Sequence, residues 1–369
     1  MKPADADMPP ILHVDADGRL DFTTISAAVD AAPPGSFIIV QPGIYRESVL
    51  LKKPVFLIGA GEPGDAVIEA HDGYALASIA SRGLVKNLAL RKIGTGGGWY
   101  SVVVARGRME FQLCAITCED LSCVAIHDGA EPTLLGNSIH QGNEAGVFYF
   151  KGGGGRLEKN EIFDNKHAGV LIEDGCDPVV TGNRIFDGEE AGLKVKNGGR
   201  GTIEGNEIFS NKLSNVMIAY GGDPILRRNR IHSSKESGIF LYEDARGTIE
   251  ENDIYKNGNC GISITTESWP MIRRNRIREN ETGIRIRKGC AGSIESNEIV
   301  GSTLAGLRID EKTAATVRRN RISGNRWGIS LDAGAGGTVE DNDLRGNTEE
   351  AWGMDPGDDA GLVKSGNIE

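Results

Sequence analysis

No run of eighteen apolar residues occurs in this 369-residue chain, so no membrane-spanning helix is expected. The opening stretch, Met1 to Pro10, lacks an apolar core of leader length, which gives secretion no support and makes a cytoplasmic location the expectation. Proline is scarce, at 13 residues, too few for an extended disordered polymer. Positive charge is short as well. With a net charge of −11 the surface as a whole does not carry the field that phosphate backbones or anionic lipids require, so neither nucleic acid nor membrane is an expected partner. Cysteines number six (Cys114, Cys118, Cys123, Cys176, Cys260, Cys290) and show no framework spacing, which reads as reduced thiols rather than disulfides. Cys114, Cys118 and Cys123 cluster near His127, yet without paired CxxC spacing or a zinc-type histidine arrangement, so no metal and no cofactor are expected.

What the chain has in excess is glycine, 51 residues, the punctuation of many short strands. It also has a repeat. The motif Asn-x-Ile/Leu recurs at Asn137, Asn160, Asn183, Asn206, Asn229, Asn252, Asn275, Asn297, Asn320 and Asn342, at spacings of 23 residues with two of 22. An aliphatic residue lies two positions after each asparagine and another three before it, and a third apolar pair follows a glycine, as in Leu193/Val195 or Ile284/Ile286. Each unit therefore has three short strands. One unit cannot bury its apolar face alone, so the units must stack with like strands paired in parallel about 4.8 Å apart. The fold class predicted is all-β: a single-stranded right-handed parallel β-helix of about a dozen coils. The fixed asparagine is expected to take left-handed backbone geometry in a turn and to hydrogen-bond along the stack. A second column, Asn165, Asn211, Asn257, Asn280, Asn325 and Asn347, reads the same way.

Neighbouring coils alternate in charge. After the ladder asparagine stand Glu161, Arg184, Glu207, Arg230, Asp253, Arg276, Glu298, Arg321 and Asp343; two before it stand Glu204, Arg227, Glu250, Arg273, Glu295, Arg318 and Glu340. Stacked neighbours thus have opposite sign, each pair contributing roughly 0.2–1 kcal/mol, and a slip by one coil would oppose like charges. Residues 1–10 are expected to be disordered. Segment 11–66 reads as an N-terminal cap with the first coils, 67–129 as irregular coils, 130–346 as regular repeats and 347–369 as a C-terminal cap. In the first segment Phe22, Ile25, Ala28, Val29 and Ala32 have helical spacing, with Thr23 or Thr24 as N-cap and Pro33–Pro34 as terminator, which predicts an amphipathic capping helix.

The coils "GCDPVVTGNRIFDGEEAGLKVKNGGRGTIEGNEIFSN" and "GDPILRRNRIHSSKESGIFLYEDARGTIEENDIYKNGNCGISI" resemble the β-helix of F-box-only substrate receptors of ubiquitin ligases, over roughly 130–345. They belong by resemblance to the wider carbohydrate-binding and sugar-hydrolase repeat group. Receptors of that kind carry an F-box upstream and a zinc module downstream, and neither is found in this sequence. The segment "DFTTISAAVDAAPPGSFIIVQPGIYRESVLLKKPVFLIGAG" is similar to the opening of pectin methylesterases, but the motifs of those enzymes resembling "QDTL" and "DFIFG" are missing. The "DPHD" motif of mannuronan epimerases is missing too.

Function is sought first on the third strand of each coil, where alternate residues must face outward. The candidate binding residues there are Phe148, Phe150, Lys194, Lys196, Met217, Phe240, Tyr242, Arg285, Arg287 and Arg308: large apolar side chains beside cations that suit an acidic ligand. A second column, His140, Phe163, Phe186, Phe209, His232 and Tyr255, stacks aromatics at one turn, read as stabilising rather than as a sugar platform. Catalytic candidates are weaker: His127, Asp128, Arg106 and Arg108, in the irregular coils near Trp99, Tyr100, Glu119 and Asp120. The reading favoured by sequence is a non-catalytic scaffold binding a protein or polysaccharide on this aromatic and basic face. A polysaccharide-active enzyme of uronate lyase, esterase or epimerase type, and a structural subunit of a larger assembly, are the alternatives.

Overall fold

A computed structural model of the chain describes residues 9–355 and 357–369. These fall into two compact units, residues 9–148 with 152–161 and residues 149–151 with 162–369. Both are built from one parallel β-coil, three short strands separated by turns, and the coils make about fifteen turns in all. Sheet 1 is formed by the strands preceding the ladder asparagine, sheet 2 by those following it and sheet 3 by those after the next turn. Among the described residues no helix is long and apolar enough to cross a membrane.

In the first unit, sheet 1 runs through Ile11–Val14, Phe37–Val40, Phe56–Gly59, Arg82–Lys86, Arg108–Gln112, Thr133–Leu135 and Arg156–Glu158, each paired in parallel with the next. Of the N-terminal residues expected to be disordered, 1–8 lie outside the described residues, whereas Pro9 and Pro10 lead into the first strand. The predicted helix spans Ile25–Ala31. Thr24 caps it, its hydroxyl accepting from the Ala27 N–H at 3.3 Å. The Glu47 carboxylate takes the remaining N-terminal donors, the N–H groups of Ile25 and Ser26, at 2.7 and 2.8 Å. Ile25, Ala28 and Val29 are buried against the first strands, the face that the spacing predicted.

More coils form than the asparagine motif counted, because the early ones use other residues in its place. Leu88 and Cys114 occupy the ladder position there, and the Cys114 N–H donates to Asn137 Oδ1 at 2.9 Å as a ladder asparagine would. After Asn347 the coil also continues, through Glu350–Gly353 in sheet 3 and Gly361–Ser365 in sheet 1.

In the second unit the core is a set of aliphatic columns. Val180, Ile203, Leu226, Ile249 and Ile272 line sheet 1, and Ile185, Ile208, Ile231, Ile254 and Ile277 line sheet 2, all 0% exposed. Full burial of such a side chain contributes about 1.5–3 kcal/mol. Between the two sheets runs the asparagine ladder. Asn229 Oδ1 accepts from both the N–H and the Nδ2 of Asn206, at 2.9 and 3.0 Å, and its own amide repeats the pattern with Asn252. The expected left-handed geometry, however, falls one residue earlier. Arg228, Glu251, Arg274 and Arg319 have φ near +55°, while the asparagines do not. The asparagine stays in ordinary backbone because its side chain is used along the stack, and the residue before it makes the turn.

The charge alternation is realised in pairing and in distance. Arg184, Glu207, Arg230, Asp253, Arg276, Glu298 and Arg321 are successive partners across sheet 2. Arg230 reaches Glu207 at 2.8 Å, and in sheet 1 Arg227–Glu204, Arg273–Glu250 and Arg318–Glu295 close at 2.8, 2.8 and 3.0 Å.

Candidate functional site

Sheet 3 of the second unit presents the candidate face. Its strands alternate buried and half-buried residues, so every other side chain points inward: Leu193, Val195, Val216, Ile218, Ile239 and Leu241 are 0% exposed. The outward column pairs Lys194, Met217, Phe240, Ser263, Arg285 and Arg308 in succession. Met217 and Phe240 form part of a shallow groove of about 250 Å³ lined also by Leu213, Ser214, Glu236, Ser237, Asn259, Ser263 and Arg287. Tyr242 stacks on Phe240 with ring centroids 5.0 Å apart, and Tyr220 meets Tyr242 edge-on at 5.7 Å. Burial, reinforced by Tyr220, Glu190 and Glu243, pushes the Tyr242 phenol above its ordinary value.

The cations of this face are not equivalent. Lys196 is tied to Glu173 at 2.8 Å, Arg285 to Asp310 at 3.1 Å, and Arg308 to Asp332 at 3.0 Å. Three of the five basic residues expected to receive an acidic ligand are therefore neutralised within the fold. Lys194 and Arg287 have no acid partner among the described residues, and Arg287 lies in the groove beside the apolar floor. An unpaired guanidinium next to an apolar surface suits a ligand that has both a carboxylate and a flat hydrophobic face. The rim residues Leu213, Glu236 and Asn259 escaped the sequence reading. They occupy one repeat position, in the turn before each sheet 3 strand, where neighbouring coils hold Glu190 and Glu281. The break from glutamate to leucine in that column was the available signal.

Phe148 faces outward, half-buried, on sheet 3 of the first unit. Phe150 belongs to the second unit, also half-buried, with the Lys151 ammonium 5.8 Å from its ring centre. The catalytic candidates do not converge. His127 and Asp128 touch, Nδ1 to Oδ2 at 2.9 Å, at the end of a sheet 3 strand. Arg108 projects from sheet 1 and pairs with Glu131 at 2.8 Å, and Arg106 is exposed in the turn between. Nearby, Asp120 clamps the glycine-rich loop: its carboxylate accepts from the N–H groups of Gly96 and Trp99 at 2.9 and 2.8 Å, and buried Lys92 lies 3.9 Å away. These hydrogen bonds and the Lys92 charge outweigh burial and hold Asp120 below the usual carboxylate range. That cluster holds a loop in place.

The aromatic column of sheet 2 is half-buried and stacked. Centroids from Phe163 through Phe186, Phe209 and His232 to Tyr255 are 5.2, 5.0, 5.2 and 4.6 Å apart. Arg184 lies over Phe186 and Phe209, and Arg278 over Tyr255 at 3.9 Å, so the rings are engaged by one another and by guanidinium groups of the fold. All six cysteines are buried, and burial pushes the Cys114 thiol up to about 12 and that of Cys260 to about 11.

Comparison with known proteins places this architecture. Putative pectinesterase 11 of Arabidopsis thaliana is 30% identical over 122 residues, covering 29% of this chain and 35% of the relative, so the match spans about a third of that protein. Among solved structures, the A-module of the mannuronan C-5 epimerase AlgE6 from Azotobacter vinelandii is similar over 93% of both chains, at 16% identity and a TM-score of 0.54. A mannuronic acid specific polysaccharide family 6 lyase from human gut microbiota is similar over 91% of this chain and 86% of its own, at 14% identity and a TM-score of 0.52. At such identities these two likenesses establish the fold. The model of the right handed beta helix region matches residues 78–224, 189–293 and 214–361, most of the sequence, and the chain belongs to the right-handed β-helix family.

Proposed function

We propose that this protein is polysaccharide-active, and that it takes an acidic, uronate-containing polymer in the sheet 3 groove of its second unit. The observation that carries this reading is Arg287. It is exposed, has no acid partner among the described residues, and lines the same groove as Met217 and Phe240, while Arg285 and Arg308 beside it are neutralised. A uronate ring offers one C–H face for Phe240 and a carboxylate for the guanidinium. The pectinesterase relative and the similarity to a mannuronan epimerase and a mannuronic acid lyase support the ligand class. Glu236, the one carboxylate among the groove-lining residues, is the group placed to move a proton.

The test is a panel of polygalacturonate, polymannuronate and neutral glucan, scored for binding and for turnover. Wild type should bind a uronate polymer at low salt. Arg287→Gln and Phe240→Ser should each weaken binding by about tenfold, and Glu236→Gln should abolish turnover with binding retained. Absence of uronate binding by the wild type refutes the proposal. A second reading, a non-catalytic scaffold on the same face, draws on the single carboxylate and on the resemblance of the regular coils to F-box-only substrate receptors. It expects uronate or protein capture without any turnover, lost when Phe240 and Tyr242 are replaced by serine.

A further inference from the structure

The outer face of sheet 1 in the first unit departs from the charge alternation that the same sheet shows in the second unit. Arg82 and Arg108 are direct partners across adjacent parallel strands. Like charges opposite one another are destabilising, and in the second unit the same sheet sets Glu204 against Arg227 and Glu250 against Arg273. Arg108 is relieved from one side by Glu131, at 2.8 Å. Arg82 has Pro54 one coil before it and Arg108 one coil after, and no acid partner among the described residues. The other arginine pair on adjacent strands, Arg285 and Arg308, is relieved by Asp310 and Asp332, whereas Arg82 has no such relief among the described residues.

Those two arginines edge a pocket of about 290 Å³ whose apolar surface comes from Phe56, Leu84, Pro34 and Pro54. Phe56 is half-buried and is held between Phe37, on which it stacks at 4.7 Å and 17°, and its strand partner Leu84. The remaining acid in the lining, Glu110, accepts from Gln112 Nε2 at 2.9 Å. Apolar surface beside a guanidinium without an acid partner, with a second arginine on the adjacent strand, is the chemistry of an anion attached to an apolar ring.

We infer that this pocket is a second acidic-sugar site, in which one uronate unit packs against Phe56 and Leu84 while its carboxylate meets Arg82, beside Arg108. The ligand class rests on the uronate reading of the sheet 3 groove; the site itself is separate, in the first unit and on another sheet. Bound carboxylate would neutralise the like-charge pair, so binding and local stability should be linked.

The test is titration calorimetry of the full chain with trimeric galacturonate and trimeric mannuronate, comparing wild type with Arg82→Gln, Arg82→Glu and Arg287→Gln. Two sites are expected in wild type. Arg82→Gln should weaken one of them by about tenfold and leave the other unchanged, and Arg287→Gln should do the converse. Arg82→Glu should remove the same site as Arg82→Gln without lowering the unfolding midpoint, because it replaces a repulsive pairing with an attractive one; that midpoint shows the loss is not unfolding. Two sites insensitive to Arg82, or a single site lost only with Arg287→Gln, overturn the pocket while the groove reading stands. A single site lost only with Arg82→Gln overturns the groove and keeps the pocket. No binding of either trimer overturns both.

Discussion

Replacing Asn252 by alanine should be far more costly than the size of the side chain suggests. Its Oδ1 accepts from the N–H and the Nδ2 of Asn229, both at 2.9 Å; its Nδ2 donates to Leu226 O at 3.0 Å and to Asn275 Oδ1 at 2.9 Å. Only 1% of the residue is exposed, so water cannot take these places. Alanine leaves the Asn229 N–H without any partner, which costs about 1–3 kcal/mol, and removes three further bonds at about 1 kcal/mol each. Part of the second set is softened, because Asn229 Nδ2 keeps its bond to Ile203 O and Asn275 Oδ1 keeps the Asn252 N–H. A loss of about 4 kcal/mol follows. Asn367, the last rung, is the internal control: it makes the same contacts to Asn342 and Val339, but it is partly exposed, and Asn367→Ala should cost about 1 kcal/mol. Urea unfolding monitored by circular dichroism measures both, and hydrogen exchange at the Asn229 amide should accelerate in Asn252→Ala alone. Equal losses at the two rungs, or an interior loss below about 1 kcal/mol, would refute the view that the ladder is held by its buried hydrogen bonds.

Other consequences are open to direct measurement. Glu207 stands between Arg184 and Arg230, so Glu207→Arg aligns three cations and should lower the urea midpoint by the equivalent of about 1–2 kcal/mol at low salt, with most of the loss gone in about 1 M salt, where screening acts within about 3 Å. A loss that ignores salt would rule out a charge effect. Burial pushes the His232 imidazole below its ordinary value of 6.5, against the opposing pull of Glu207 at 3.4 Å. The unfolded chain therefore takes up a proton before the folded one does; the stability His232 contributes is complete above 6.5 and declines as pH falls through the folded-state value. His232→Phe, which continues the ring column, should flatten that decline in melting temperature between neutral and mildly acidic pH.

The fold was legible because its period is written in residues that leave little alternative. An asparagine that bonds to copies of itself and an isoleucine two places later define the coil wherever both occur. Coils using Leu88 or Cys114 in the same place were invisible to that motif, although the spacing of their aliphatics is no different. The left-handed turn was misplaced by one residue for a related reason: asparagine is a residue that tolerates positive φ, and Arg228 or Glu251 in that geometry gives no such hint. The candidate site was half legible. Strand alternation was enough to put Met217, Phe240 and Arg287 on one outward face. Which cations remain available depended on Asp310 and Asp332 reaching across from neighbouring coils, and the rim depended on turn residues, whose direction no two-residue period specifies.

The alternation of acid and base along the ladder also sets how such a chain can grow. Its electrostatic repeat is two coils, while its structural repeat is one. Gain or loss of a single coil between residues 204 and 340 would keep the core columns and the asparagine ladder in register, yet bring two like charges together at the junction in both sheets. Gain or loss of two coils leaves no such scar. Lineages and designs built on this sequence should thus lengthen and shorten by pairs, and a junction with like charges on neighbouring strands marks where that parity was broken.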